Sequence, residues 1–217
     1  MKKLLFLITA LLFVNAGFAQ KGKAAFSFYG GVTLPKYSYA DGGTATDRKI
    51  YQGYCGGINL MVYELSREVP GFGFGLGVNY FQAGAINKSP AIVNAVEAKN
   101  RINYIQGELL MGIKVQNFIE IQGGLYIGKA MSGQSKVKKS DGTVTTTDFK
   151  FGTATTDDFN PSDLGLSFNA IFNISKVKLG ICLHQGLGDI APQKDIKIRN
   201  EIYSITLGFG FGGKSKK

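Results

Sequence analysis

His184 is the only histidine in the 217-residue chain, and Cys55 and Cys182 are its only cysteines. That donor set is too small for the usual zinc sites, so no metal or cofactor site is expected. Ser175-Lys176 reads as a two-residue turn between strands, which places His184 opposite Ser167. A Ser–His pair invites acyl-transfer chemistry. A working triad also needs an acid that orients the imidazole and an oxyanion hole. The nearest acids in sequence, Asp163 and Asp189, are not placed for this by strand pairing. A hydrogen-bonded interior histidine is the reading adopted, and no catalytic residue is assigned. Glu108, Lys114, Glu120 and Lys178 form a second constellation, each alternating with apolar neighbours. If residues 116–118 close a turn, Lys114 faces Glu120 directly. Such charges inside a barrel would line an ion path or gate a plug, or simply pair and fill the space. Pairing is favoured, because buried charges are normally paired.

Two glycine-rich runs imitate nucleotide-binding motifs. Gly123 to Lys129 has P-loop spacing, but Ala130 stands where Ser or Thr should meet magnesium, and no helix follows. Gly208 to Gly213 fits G-x-G-x-x-G, but too little chain remains after it for a βαβ unit. Both are better read as strand glycines making room in a narrow wall. Cys55 and Cys182 fall on the polar faces of the second and seventh strands. A disulfide between them is not expected; they read as separate thiols at small-residue positions.

All these residues sit on segments of period two. Ile119, Ile121, Leu125 and Ile127 share one face; Glu120, Gln122, Gly124 and Tyr126 share the other. Tyr203, Ile205, Leu207, Phe209 and Phe211 alternate with Ser204, Thr206, Gly208 and Gly210 in the same way. This period means strands. Eight are expected, near 24–35, 51–64, 71–83, 101–115, 118–130, 162–174, 177–188 and 199–212. Most reach the roughly 9–11 residues that a tilted membrane strand requires. Connections after the first, third, fifth and seventh are long and polar, and the rest are tight. That asymmetry is the pattern of an outer-membrane barrel with long loops outside the cell. The expected fold is all-β, an eight-stranded antiparallel up-and-down transmembrane β-barrel. Gly, Ser and Asn would face the narrow lumen, and Phe, Leu, Ile and Val the lipid. With no Trp, the aromatic girdle falls to Tyr37, Tyr39, Tyr51, Tyr54, Tyr80 and Tyr104 at the outer ends and Tyr63 at the inner end.

Composition sets the compartment. Lys2 and Lys3, an apolar run from Leu4 to Val14, and Gly17-Phe18-Ala19 read as a secretory signal peptide cleaved after Ala19. Residues 20–213 would form the barrel, and 214–217 a short basic periplasmic tail. The full chain carries 25 basic and 15 acidic residues, a net +10, of which the signal peptide removes two. The surplus favours anionic lipid headgroups or polysaccharide over nucleic acid in an exported protein.

The runs DLGLSFNAIFNISKVKLGICLHQGLGDI (Asp163–Ile190), KIRNEIYSITLGFGF (Lys197–Phe211), RINYIQGELLMGIKV (Arg101–Val115) and IQGGLYIG (Ile121–Gly128) stand in order. Together they resemble the PorT-like outer-membrane β-barrel proteins of Bacteroidetes. The resemblance implies a barrel of OmpA/OmpX size in the outer membrane of a Gram-negative cell envelope, and no single activity. Expected partners are outer-membrane lipid and lipopolysaccharide, the barrel-assembly machinery during insertion, and a surface or secretion-system protein. The functional expectation is a non-enzymatic structural or surface-interaction role. The alternatives are a small pore or accessory component of an export system, as PorT is in type IX secretion, and a lipid-modifying barrel enzyme. One departure stands out: Phe211 does not end the chain but is followed by GGKSKK.

Overall fold

The computed structural model describes residues 22–39, 48–64, 71–87, 94–115, 118–192 and 197–212. The proposed signal peptide and basic tail lie outside them. Among the described residues ten strands form: β1 (Gly22–Tyr39), β2 (Arg48–Lys49), β3 (Gly53–Glu64), β4 (Gly71–Asn87), β5 (Ala95–Val115), β6 (Ile119–Lys139), β7 (Val144–Asp148), β8 (Ser162–Ile174), β9 (Val177–Gly186) and β10 (Ile198–Gly212). Every ladder between named strands is antiparallel. β1, β3, β4, β5, β6, β8, β9 and β10 make a closed ring of eight, with β10 returning to β1. Closure leaves the wall itself without an edge, the condition for a sheet to cross a bilayer. Ser175 takes φ 60°, the left-handed conformation that a two-residue hairpin demands.

The two faces of the wall are inverted relative to a soluble barrel. Ile127, Phe72, Ile174, Met111, Leu207 and Ile181 are more than half exposed, while Gln106, Glu120, Ser167 and Thr33 are fully buried. The continuous runs of exposed apolar residues go from Ile105 to Val115 on β5, where Val96 stands apart, and from Tyr203 to Phe211 on β10. Those spans match what a tilted strand needs to cross hydrocarbon. The outward face is therefore solvated by lipid.

The lumen is packed solid, and glycines allow it. A Cβ at Gly73 would lie 2.4 Å from the Tyr63 ring, one at Gly165 2.5 Å from the Tyr126 ring, and one at Gly77 2.5 Å from Asn59 Oδ1. Tyr63, Tyr126 and Asn59 thus each lie over a glycine on the neighbouring strand. Small voids remain among the described residues, one of about 20 Å³ near Tyr29, Asn59, Lys178 and Cys182 and one of about 10 Å³ near Thr33, Cys55 and His184, each room for about one water at most.

Four expectations are corrected. Tyr63 and Tyr104 are not girdle residues; they are 2% and 0% exposed and point into the lumen. Tyr37 is buried in the core at the outer end, and Tyr51 is covered, with Lys99 Nζ 4.8 Å from its ring centroid. Tyr54 and Tyr80 are exposed on the outward face, whereas the side chain of Tyr39 lies outside the described residues. Tyr63 turns inward because its hydroxyl donates to Glu120 while its ring fills volume; Tyr104 and Tyr37 turn inward through the packing of their rings in the outer apolar cluster. Second, the strands extend beyond their expected ends: β4 to Asn87, β5 back to Ala95, β6 on to Lys139. Third, the longest connection is partly a hairpin, in which β7 pairs β6 from Gln134↔Asp148 to Lys138↔Val144. Polar alternation beyond the apolar span hid these extensions, since a strand standing above the membrane has no lipid-facing side. Asp141 shapes the hairpin tip. The Thr143 backbone N–H donates to its Oδ1 at 2.8 Å, which holds the carboxyl below the usual carboxylate range. Fourth, β3 starts at Gly53 and β9 stops at Gly186. The chain after β9 turns inward instead of continuing the wall.

Candidate functional site: the sealed lumen

Two charge clusters occupy the lumen. In the lower one, Glu120 is fully buried on β6. Lys114 Nζ lies 3.3 Å from its Oε1, and Lys178 Nζ lies 3.1 Å from both oxygens. The Lys114↔Glu120 register across the β5–β6 turn brings the first pair together. Lys178 reaches from β9, across the intervening β8. The Tyr63 hydroxyl and Gln122 Nε2 donate to Glu120 Oε2 at 3.3 Å each. One carboxylate thus receives two ammonium groups and two neutral donors, which offsets its desolvation.

The upper cluster centres on Glu108, which joins neither lysine. His184 Nε2 is 2.8 Å from Glu108 Oε1, and Gln106 Nε2 donates to the same oxygen at 2.7 Å. β6 and β8 separate these residues in the wall, so the contact spans the lumen. The His184 ring stacks on Phe81 at 5.8 Å and meets the Tyr126 edge at 5.7 Å. Tyr126 in turn donates to Asp163 Oδ2 at 3.1 Å, and Asn200 Nδ2 donates there at 2.9 Å.

The register places Ser167 opposite His184. Ser167 is fully buried, and its Oγ has no hydrogen-bond partner among the described residues. Ser167 Oγ makes no hydrogen bond to His184, whose Nε2 is engaged by Glu108 instead. The acid beside the histidine is Glu108, four strands away in the chain and invisible to pairwise register. Cys55 and Cys182 are both free thiols. Among the described residues, no group of three or more His, Cys, Asp or Glu is arranged to hold a metal.

Above these clusters an apolar cork closes the outer mouth. Phe81, Ile102, Tyr104 and Ile202 from the wall pack with Phe159 and Ile190 from the β7–β8 and β9–β10 connections. Asn160 and Asp189 hold those connections inward. Asn160 Nδ2 donates to the carbonyls of Asp189 and Ala191 at 2.9 and 3.2 Å. Asp189 Oδ1 accepts from the Ala191 and Ile198 amides, both at 2.9 Å. Below, Met61, Tyr63 and Leu110 form a second apolar layer. The cork's trace in the sequence is a set of apolar residues, Phe149, Phe151, Phe159 and Ile190, inside polar connections.

No protein-family model and no curated protein matches the chain. Among solved structures, it is similar to Ail, the attachment invasion locus protein of Yersinia pestis, at 13% identity. That alignment covers 88% of this chain and 99% of Ail, with TM-score 0.42. It is similar to Neisserial surface protein A at 12% identity, over 86% of this chain and 99% of that one, TM-score 0.45. It is also similar to the outer membrane protein OprG from Pseudomonas aeruginosa at 12% identity, over 88% and 96%, TM-score 0.37. At these identities the likeness concerns fold.

Proposed function

We propose that the protein is a non-enzymatic outer-membrane barrel that acts by surface interaction, through the elements standing outside the bilayer. One observation carries this reading: the lumen is sealed by a cork and by paired charges, while β5 and β6 run on as 21-residue strands to carry the β7 hairpin. At ~3.3 Å per residue, such strands are about twice as long as a crossing requires. Residues 1–19 would be removed on export, and 214–217 would remain in the periplasm. Lipopolysaccharide and outer-membrane lipid are the proposed surroundings, with the barrel-assembly machinery as a transient partner.

The resemblance to PorT-like proteins extends the proposal to an accessory role in export. A corked lumen supports contact through the wall or the hairpin arm over passage through the barrel. The enclosed Ser167–His184 pair gives a lipid-modifying enzyme no support.

The test is gel mobility of the outer-membrane fraction, with and without boiling, followed by capture of surface partners on the intact protein and on one lacking residues 134–149. A heat-dependent shift with partner capture lost on removal of the arm is expected. Soluble periplasmic protein without a shift would overturn the reading.

A further inference from the structure

The outward face of the β4–β5–β6 wall changes chemistry in steps above the lipid belt. Tyr80, Ile105 and Lys129 share one row, linked by register. The next outward row holds Gln82, Asn103 and Ser132. Here Tyr80 Oη donates to Asn103 Oδ1 at 3.1 Å, and Asn103 Nδ2 donates to Ser132 Oγ at 2.8 Å. Above it stand Gly84, Arg101 and Gln134, then Ile86, Lys99 and Lys136. The order is apolar, aromatic, amide and hydroxyl, then cationic.

Two features of the cationic rows call for an anion. Lys99 and Lys136 are direct cross-strand partners on one face, and like charges in that position repel. Arg101 Nε is buried without a hydrogen-bond partner, although the guanidinium lies against Tyr51. The acids nearby do not answer these charges. Glu97 faces Lys138, and Asp148 faces Gln134. Among the described residues, no carboxylate lies within 4 Å of Lys99, Arg101, Lys129 or Lys136. On the opposite wall Lys36 is paired with Glu201 at 2.9 Å, although Arg199 Nε there is also buried without a partner and, among the described residues, no like-charged pair stands beside it.

We infer that this wall binds the phosphates of lipopolysaccharide, with Lys99, Arg101 and Lys136 as the principal ligands and Lys129 reaching up from the lipid edge. Height chooses the ligand. Lys99 is six residues beyond Ile105, about 20 Å along the strand and, at ~40° tilt, about 15 Å above the apolar edge. A phospholipid headgroup layer is only ~5–8 Å thick, so it meets Lys129 but not Lys99. Lipopolysaccharide displays phosphates both on its lipid anchor and on the sugars above it, and spans the whole patch. This assignment rests on the outer-membrane reading above.

The experiment uses the full mature protein in phosphatidylcholine nanodiscs and measures binding of rough lipopolysaccharide, before and after dephosphorylation with aqueous hydrogen fluoride. A basic residue near an anionic lipid surface is worth about fivefold in affinity. The K99Q/R101Q/K136Q protein should therefore bind phosphorylated lipopolysaccharide at least tenfold more weakly. K36Q, on the paired wall, should bind as the unaltered protein does. Dephosphorylation should weaken binding to the unaltered protein and leave the triple variant unchanged. Equal binding by the triple variant, equal loss in K36Q, or indifference to dephosphorylation would each overturn the assignment. Heat-dependent gel mobility is read on every sample. A barrel that shifts normally yet ignores phosphate refutes the patch; a protein that never shifts refutes the membrane reading beneath it.

Discussion

Glu120 offers the sharpest test of how the lumen is held. Glu120→Gln preserves volume and removes one charge. It leaves the Lys114 and Lys178 ammonium groups, now 3.3 and 3.1 Å from a neutral amide, facing each other across the site. Breaking a buried pair costs about 3–5 kcal/mol. The two lysine side chains remain 15% exposed, so water relieves part of that cost, and ~3 kcal/mol is the expected loss. Removing the lysines as well, in Glu120→Gln/Lys114→Met/Lys178→Met, deletes the stranded charges and should restore most of the stability. The assay is reversible urea unfolding in lipid vesicles, followed by gel mobility and tyrosine fluorescence because the chain has no Trp. With a slope of ~1–3 kcal/mol per molar urea, the single variant's midpoint should fall by about 1–3 M. A single variant within ~0.5 kcal/mol of the parent would refute the reasoning. So would a triple variant less stable than the single, since the lysines would then be stabilising without their carboxylate.

Tyr63→Phe removes a donor to Glu120 and should cost about 1 kcal/mol in the same assay, with the ring's packing over Gly73 kept. Gly165→Val should block assembly outright, because even a Cβ there lies 2.3 Å from the Gln185 carbonyl and 2.5 Å from the Tyr126 ring; Gly107→Ala, whose Cβ meets nothing within 4 Å, should fold, and both are scored by the heat-dependent gel shift. In planar bilayers the parent should give no steady conductance, while Phe81→Ala/Tyr104→Ala, which removes two stacked rings 5.3 Å apart, should give measurable leak; equal currents would show that the cork does not seal. Cys182, buried in the lumen, should resist a polyethylene-glycol maleimide in the folded barrel and react once the protein is boiled, as read by a mass increase on gels.

The eight strands of the wall and the alternation of their faces were legible in the chain because they are local. Ile119, Ile121 and Leu125 share a face on any β-strand, whatever surrounds it. The turn at Ser175-Lys176 and the Lys114–Glu120 register are equally local, since a short hairpin fixes the partners of every residue beside it. The extra length of β5 and β6 is not legible in the chain, because rows above the bilayer lose the apolar–polar contrast that marks a strand.

What only the closed ring decided are contacts between strands that are not neighbours. Lys178 reaches Glu120 past β8, His184 reaches Glu108 past β6 and β8, and Tyr63 reaches Glu120 past β4 and β5. Such pairs depend on the tilt and curvature with which eight strands close, and no periodicity along the chain encodes either. The inward turn of Tyr63 and Tyr104 follows from the same closure. A tyrosine at a strand end suits a girdle or a lumen equally well until a buried carboxylate or an apolar cork stands opposite it.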